Sequence, residues 1–297
     1  MAAILLYGCA PRLQDKLLVS KSAESRHHGV EEFNNGNYKR SLDRFMEALR
    51  IDRSIDDRHS EILDLVDIGR VYIALGQYNE ASSFLNEAVR LGIEIKEDRG
   101  LAEAYVTLAK AGFMAGNSAA ALSHLEESMA IDGRLSVTSA AKVNLKAYIF
   151  MDTGRGKEAE ELFRKALEIG GTDGNGTEAA NSYRGLARLK RQEGKAVEAA
   201  LHFEDAYRID KSNGDALKIA ADLENMAELK LEDGKSRDAL FLFERCYLVS
   251  LNGGFALHAA KSLDRMIYIY KEMGNEEKAA FYKGIRDGLL SGDNKAR

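Results

Sequence analysis

Gly69-Arg70-Val71-Tyr72-Ile73-Ala74-Leu75-Gly76-Gln77-Tyr78-Asn79-Glu80-Ala81-Ser82-Ser83-Phe84-Leu85-Asn86-Glu87-Ala88 consists of two amphipathic runs joined at a glycine. The apolar residues recur at helical spacing. A glycine between two such runs supplies the positive φ that ends the first helix, so the stretch predicts a helical hairpin, helix A then helix B. Counted from Gly76, small residues stand at −7 (Gly69), +5 (Ala81) and +12 (Ala88), and a large one at +9 (Leu85).

This arrangement recurs along the whole chain. Glycines stand at 36, 76, 116, 154, 194, 234 and 274, spaced 40, 40, 38, 40, 40 and 40, although Gly is only 26 of 297 residues. At +5 come Ser41, Ala81, Ala121, Ala159, Ala199, Ala239 and Ala279; at +9 come Phe45, Leu85, Leu125, Phe163, Phe203, Phe243 and then Lys283. Small side chains at −7 and +5 let the two helices of one hairpin approach closely, and the large +9 residue fills the gap beside them. The small +12 residue admits the helix of the next unit. One hairpin cannot bury its apolar face alone, so the expectation is an all-α fold, an α-solenoid of about seven helix-turn-helix repeats and fourteen helices over residues 22–290.

Composition agrees with that class. A single Pro, no Trp and 8% aromatic residues argue against a β-sandwich or barrel. A formal charge of −5, from 42 Lys+Arg against 47 Asp+Glu, provides no overall drive toward nucleic acid or an anionic membrane. No nucleic-acid partner is therefore expected. Two Cys, at 9 and 246, exclude a disulfide framework.

The succession small, Gly, Ala, Phe, Ala at these offsets is similar to the tetratricopeptide repeat, over about residues 22–290. The resemblance implies a right-handed solenoid that binds protein or peptide partners on its concave surface. The unit is 40 residues rather than 34, as in the longer-repeat branch of that family, with the extra residues expected between one helix B and the next helix A, as in Ile51–Arg58. In the seventh unit Lys283, Arg286 and Asp287 replace core residues, so 276–290 reads as a polar C-terminal cap and 291–297 as a disordered tail.

Leu6-Tyr7-Gly8-Cys9-Ala10 resembles the lipobox of bacterial lipoproteins. That resemblance implies acylation of Cys9, a tether through residue 21 and an address in the bacterial envelope, the periplasmic face of the outer membrane being favoured. Membrane association would then run only through the lipid. Tyr7 is bulkier than the motif's usual residue, and eight residues before Cys9 leave no room for a full leader; a start codon assigned too late accounts for both. The alternative is a cytosolic regulator.

No phosphate loop, dinucleotide fingerprint, His-Glu-x-x-His or Cys-x-x-Cys occurs, so neither enzymatic activity nor a cofactor is expected. The six His residues are scattered at 27, 28, 59, 124, 202 and 258 and offer no chelating pair. The segment 171–178 alternates oxygen side chains but lacks later acidic ligands, and reads as a turn between repeats. Cys246 at a +12 position reads as an inert buried thiol.

In the family, helix A residues at −13, −10, −6 and −3 line the binding groove. On this chain the resemblance nominates Arg70, Lys110, Phe113, Asn144, Tyr148, Met151, Arg184 and Arg188. Arg and Asn would bond a peptide's carboxylates and backbone, while Phe113, Tyr148 and Met151 receive an apolar side chain. The fifth unit carries a basic ridge (Arg184, Arg188, Arg191) and the sixth an acidic one (Glu224, Glu228), an arrangement in which the two ridges neutralise one another instead of a ligand. The family's two-Lys, two-Asn, Arg carboxylate clamp is not reproduced.

Overall fold

The computed structural model describes residues 13–170 and 176–291. Fourteen α-helices are present among them: α1 (Leu13–Asn34), α2 (Tyr38–Ser54), α3 (Arg58–Ala74), α4 (Tyr78–Ile95), α5 (Asp98–Met114), α6 (Ser118–Leu135), α7 (Ala140–Asp152), α8 (Gly156–Gly170), α9 (Thr177–Gln192), α10 (Ala196–Asn213), α11 (Ala216–Glu232), α12 (Ser236–Asn252), α13 (Ala256–Glu272) and α14 (Glu276–Ser291). The chain divides into two compact units, Met1–Thr138 with α1–α6 and Ser139–Arg297 with α7–α14. Within each, successive helices pack as antiparallel hairpins.

The anchor glycines do what their spacing predicts. Gly76 and Gly194 sit at φ +73° and +75°, each between a helix A and its helix B, where an L side chain is strained. Helix B then starts on residues such as Asn117, whose Oδ1 accepts from the Ala120 amide at 3.1 Å.

Side-chain packing fixes the register of the hairpin. A Cβ placed on Gly69 would lie 2.6 Å from Leu85, and one on Gly29 would lie 2.8 Å from Phe45, so the −7 residue lies directly against the +9 residue of its own unit. Ser41 Oγ donates to the Gly29 carbonyl at 2.8 Å, which joins +5 to −7. Phe163, Phe203 and Phe243 are fully buried at +9, each contributing about 1.5–3 kcal/mol of transfer free energy. Cys246 at +12 is buried between its own helix A and the next: its Sγ donates to the Ala220 carbonyl at 3.1 Å and accepts from Ser262 Oγ at 3.1 Å.

Two boundaries differ from the sequence expectation. The extra residues of the long repeat extend the helices instead of forming a loop: Ile51–Ser54 continue α2 and only Ile55–Asp57 connect it to α3. Ile51 and Asp52 are buried against neighbouring helices, which holds that added turn in place. At the other end, α1 begins at Leu13, inside the stretch expected to be a tether. In α14 Ala279 is the buried residue; Arg286 pairs with Asp264 (2.5 Å) and Asp287 (2.6 Å), and Phe281 and Leu290 are exposed. Cys9, the segment 171–175 and the tail 292–297 lie outside the described residues.

Candidate partner-binding face

The nominated residues divide by their position on helix A. At 100° per residue, −13, −6, −10 and −3 span about 80° of the helix surface, with −10 and −3 nearer the buried −7 position. Most of these residues divide the same way, although −3, the nearest to −7, is less buried than −10. Leu63, Arg70, Lys110, Arg188 and Tyr268, at −13 or −6, are exposed; Phe113, Met151 and Arg191, at −3, are half-buried; Val66, Val106, Asn144 and Arg184, at −10, are buried. In those four repeats the −10 residue is therefore covered by neighbouring helices, whereas Glu224 is half-buried and Asp264 exposed at the same position.

In the second unit the −10 residues tie helices together. Asn144 on α7 donates from Nδ2 to the carbonyl and the carboxylate of Glu178, both at 2.9 Å, and accepts from Ser182 Oγ at 2.7 Å. Arg184 on α9, only 8% exposed, donates to Asn181 Oδ1 (2.6 Å), Asp222 Oδ1 (2.6 Å) and Asp210. These two nominated residues are packing elements, because a bound peptide cannot reach groups whose donors already serve buried acceptors. Tyr148 is intermediate: its hydroxyl donates to the Asn181 carbonyl at 2.8 Å, its ring meets Phe163 edge-on at 4.9 Å, and burial holds its phenol above the ordinary value.

Arg188 and Met151 remain accessible. The Arg188 guanidinium lies 5.8 Å from the Tyr148 ring centroid and forms no ion pair among the described residues. Together with Arg191, Gln192 and Glu232 they border a cleft of about 420 Å³. In the first unit Arg70 pairs with Asp67 (2.7 Å) and Glu103 (2.8 Å) beside a cleft of about 210 Å³ that includes Val30, Phe33 and Phe45. Lys110 is exposed and Phe113 half-buried on α5 of the same unit.

Apart from Arg188, the charged ridges are neutralised internally, though with different pairings from those the spacing suggests. Arg191 binds Glu232 through Nε and Nη2. Glu224 and Glu228 turn instead to α13: Glu228 receives Arg265 through two 2.6 Å bonds, and Glu224 receives Lys261 at 2.7 Å and His258 at 3.2 Å. The His258 contact, with help from Lys261, holds the Glu224 carboxyl down to about 2 against the effect of burial. Contact with Cys246 and Glu224 raises His258 to about 9, and Ser250 Oγ lies 2.8 Å from its Nδ1.

A family model of the tetratricopeptide repeat matches residues 23–94, 65–133 and 138–212. The chain belongs to the tetratricopeptide repeat family. Among solved structures, this tetratricopeptide chain is similar to a Rap protein complexed with competence and sporulation factor, at 18% identity and TM-score 0.68 over 92% of this chain and 75% of that one. It is also similar to aspartyl phosphate phosphatase F from Bacillus subtilis, at 12% identity and TM-score 0.66 over 94% and 72%. BtubC (BKLC) from P. vanneervenii aligns at 20% identity and TM-score 0.59 over 74% and 92%. No curated protein matches.

Reading the tetratricopeptide register by residue type alone misses the carboxylates that surround the −10 cations. Asp52 and Asp210 stand at +16 and Asp64 and Asp222 at −12 of the following unit, in the two places where −10 is arginine, Arg26 and Arg184. That co-occurrence is the signal that identifies the ties. Among the described residues of the repeat array no group of three His, Cys, Asp or Glu could hold a metal ion. No helix among them is long and apolar enough to cross a membrane.

Proposed function

We propose that the protein is a non-catalytic interaction scaffold that holds a peptide or protein partner on its helix A faces. The observation that carries this reading is Arg188: an exposed guanidinium without a carboxylate partner, set beside the apolar Met151 and the Tyr148 ring at the edge of a cleft. A partner offering a carboxylate or backbone carbonyl next to an apolar side chain meets both needs there. Lys110 and Phe113, exposed and half-buried on α5, are nominated residues of the first unit.

Peptides selected from a random display library against the full chain test the assignment. Arg188→Glu is expected to weaken the selected peptides at least about tenfold with helicity unchanged. Undiminished affinity in that variant would place the peptide elsewhere.

For the cellular address we propose a bacterial envelope lipoprotein anchored through Cys9, a reading supported by Leu6-Tyr7-Gly8-Cys9. A second reading is favoured by the fold likeness to a Rap protein complexed with competence and sporulation factor: a cytosolic regulator that binds a signalling peptide and changes an output partner. The intact mass of the protein expressed from its native gene with upstream DNA separates them. Cleavage before Cys9 with added acyl mass supports the envelope; a soluble chain retaining Met1 and an unmodified Cys9 supports the regulator.

A further inference from the structure

Arg184 on α9 is set between two carboxylates. Asp222 Oδ1 of α11 accepts from its Nε at 2.6 Å, and Asp210 of α10 accepts from its Nη2. Both aspartates are fully buried, and each keeps one oxygen, Asp222 Oδ2 and Asp210 Oδ1, with no hydrogen-bond partner among the described residues. One cation faces two anions, so the cluster holds an excess negative charge where solvent does not reach.

The charge that offsets this excess stands one turn away. Arg188 follows Arg184 at i+4, on the same side of α9, and forms no ion pair of its own among the described residues. Counted together, Arg184, Arg188, Asp210 and Asp222 are neutral. The other groups about Asp222 leave that balance alone: Lys218 of α11 is held by Asp215 at 2.7 Å, and the Tyr148 phenol of α7, raised by burial, donates to the Asn181 carbonyl. Burial pushes Asp222 above the ordinary carboxylate range, against the opposing charges of Arg184, then Arg188, then Lys218.

The first unit holds the same cluster without the second cation. Arg26 faces Asp52 and Asp64, but Val30 stands four residues on, where α9 has Arg188. There burial pushes Asp64 up to about 8. A buried carboxylate pair takes a proton when no spare cation is at hand.

We propose that a carboxylate-bearing peptide seated on Arg188 is bound together with a proton from the solvent, which the Asp210–Asp222 pair takes up. The inference rests on the proposed role of Arg188 as the partner's contact. An anion paired with Arg188 withdraws the charge that offsets the buried pair, and one proton on the pair restores neutrality. The complex then holds more protons than the free protein, so affinity for an acidic partner rises as the pH falls, up to about tenfold per pH unit for one whole proton. The dependence ends where the pair is already protonated in the free protein. By the same linkage, protonating the pair favours the acidic partner.

Isothermal titration calorimetry of the full chain tests the coupling. The probes are peptides from the display selection that Arg188→Glu weakens, blocked at both ends and carrying one Glu, each with its Gln counterpart. Binding enthalpies at one pH in two buffers of different ionisation enthalpy give the number of protons taken up. Above about pH 6 the peptide's own Glu is ionised in both states and does not contribute. An uptake of up to about one proton is expected for the Glu peptide, with none for the Gln peptide. Asp222→Asn and Asp210→Asn each leave Arg184 one full carboxylate; in either one, the Glu peptide is expected to bind without proton uptake and with a flat pH profile, helicity being unchanged. Wild-type affinity that is independent of pH, for a peptide that Arg188→Glu weakens, overturns the coupling and leaves the role of Arg188 intact. Uptake that persists in both aspartate variants also overturns it, since the proton then sits elsewhere. If Arg188→Glu weakens no selected peptide, the role of Arg188 falls and the coupling falls with it.

Discussion

Arg184 on α9 and Asp222 on α11 are joined across adjacent repeats by a 2.6 Å charge-assisted hydrogen bond, with both side chains almost entirely out of solvent. The same link occurs in the first unit, where Arg26 Nε donates to Asp64 at 2.7 Å and Nη2 to Asp52 at 2.6 Å. Each guanidinium faces two carboxylates, and Asp64 Oδ2, Asp210 Oδ1 and Asp222 Oδ2 have no hydrogen-bond partner among the described residues. These ties fix one repeat to the next, and their excess of negative charge makes them sensitive both to loss of the arginine and to protonation.

Arg184→Met leaves Asp210 and Asp222 buried without their cation. The expected cost is about 3–5 kcal/mol, read from urea unfolding. Arg26→Met is expected to cost less, since Arg26 is more exposed than Arg184 and water can replace part of its role. Equal stability of wild type and Arg184→Met would mean that the tie carries no net energy.

Asp64 titrates far from the ordinary carboxylate range. Burial pushes it up to about 8, while the hydrogen bond from Arg26 opposes the shift. A raised folded value for an acid means that the folded state holds a proton which the unfolded chain has released. That stabilisation is complete below the unfolded value near 3.8 and is lost as the pH rises through about 8. Asp64→Asn keeps the acceptor for Arg26 without the charge, so its melting temperature relative to wild type is expected to improve from pH 6 to pH 9. Parallel pH profiles would show that Asp64 is ionised throughout.

Gly185 sits where a Cβ would lie 2.2 Å from the Phe163 ring. That ring is held edge-on by Tyr148 and is fully buried, so it has little room to give. Gly185→Ala is expected to destabilise by at least about 1–3 kcal/mol despite the higher helix propensity of alanine. A melting curve matching wild type would mean that α8 and α9 separate readily at this contact.

His258 carries the opposite sign of dependence to that of an ordinary acid pair. Its contacts with Cys246 and Glu224 raise it from 6.5 to about 9. The stabilisation from its proton is complete below about 6.5 and is lost as the pH rises through about 9. Wild-type melting is expected to fall over that interval more steeply than that of His258→Gln. Equal slopes would assign the alkaline loss to other groups.

Much of the architecture is legible in the seven anchor glycines and the small and large residues around them. The hairpin turns, the pairing of −7 with +9 and the number of hairpins follow from short-range periodicity, because a helix repeats every 3.6 residues and a hairpin places nearby positions together; the far ends of the helices, such as Ile51–Ser54 of α2, do not. The accessible part of the candidate site, Arg188 and Met151, is legible for the same reason. Arg184 and Asn144 are not: they share the helix face of Arg188, and residue type alone does not tell a buried donor from an exposed one.

What the amino-acid sequence determined alone is the repeat, its register and its fold class, all set by local spacing. Tertiary structure alone decided that Asn144 and Arg184 at −10 are covered by neighbouring helices, and that Glu224 pairs with His258 rather than with Arg184. Those outcomes depend on how far one helix overlaps the next and on partners tens of residues away, distances that helical periodicity does not encode.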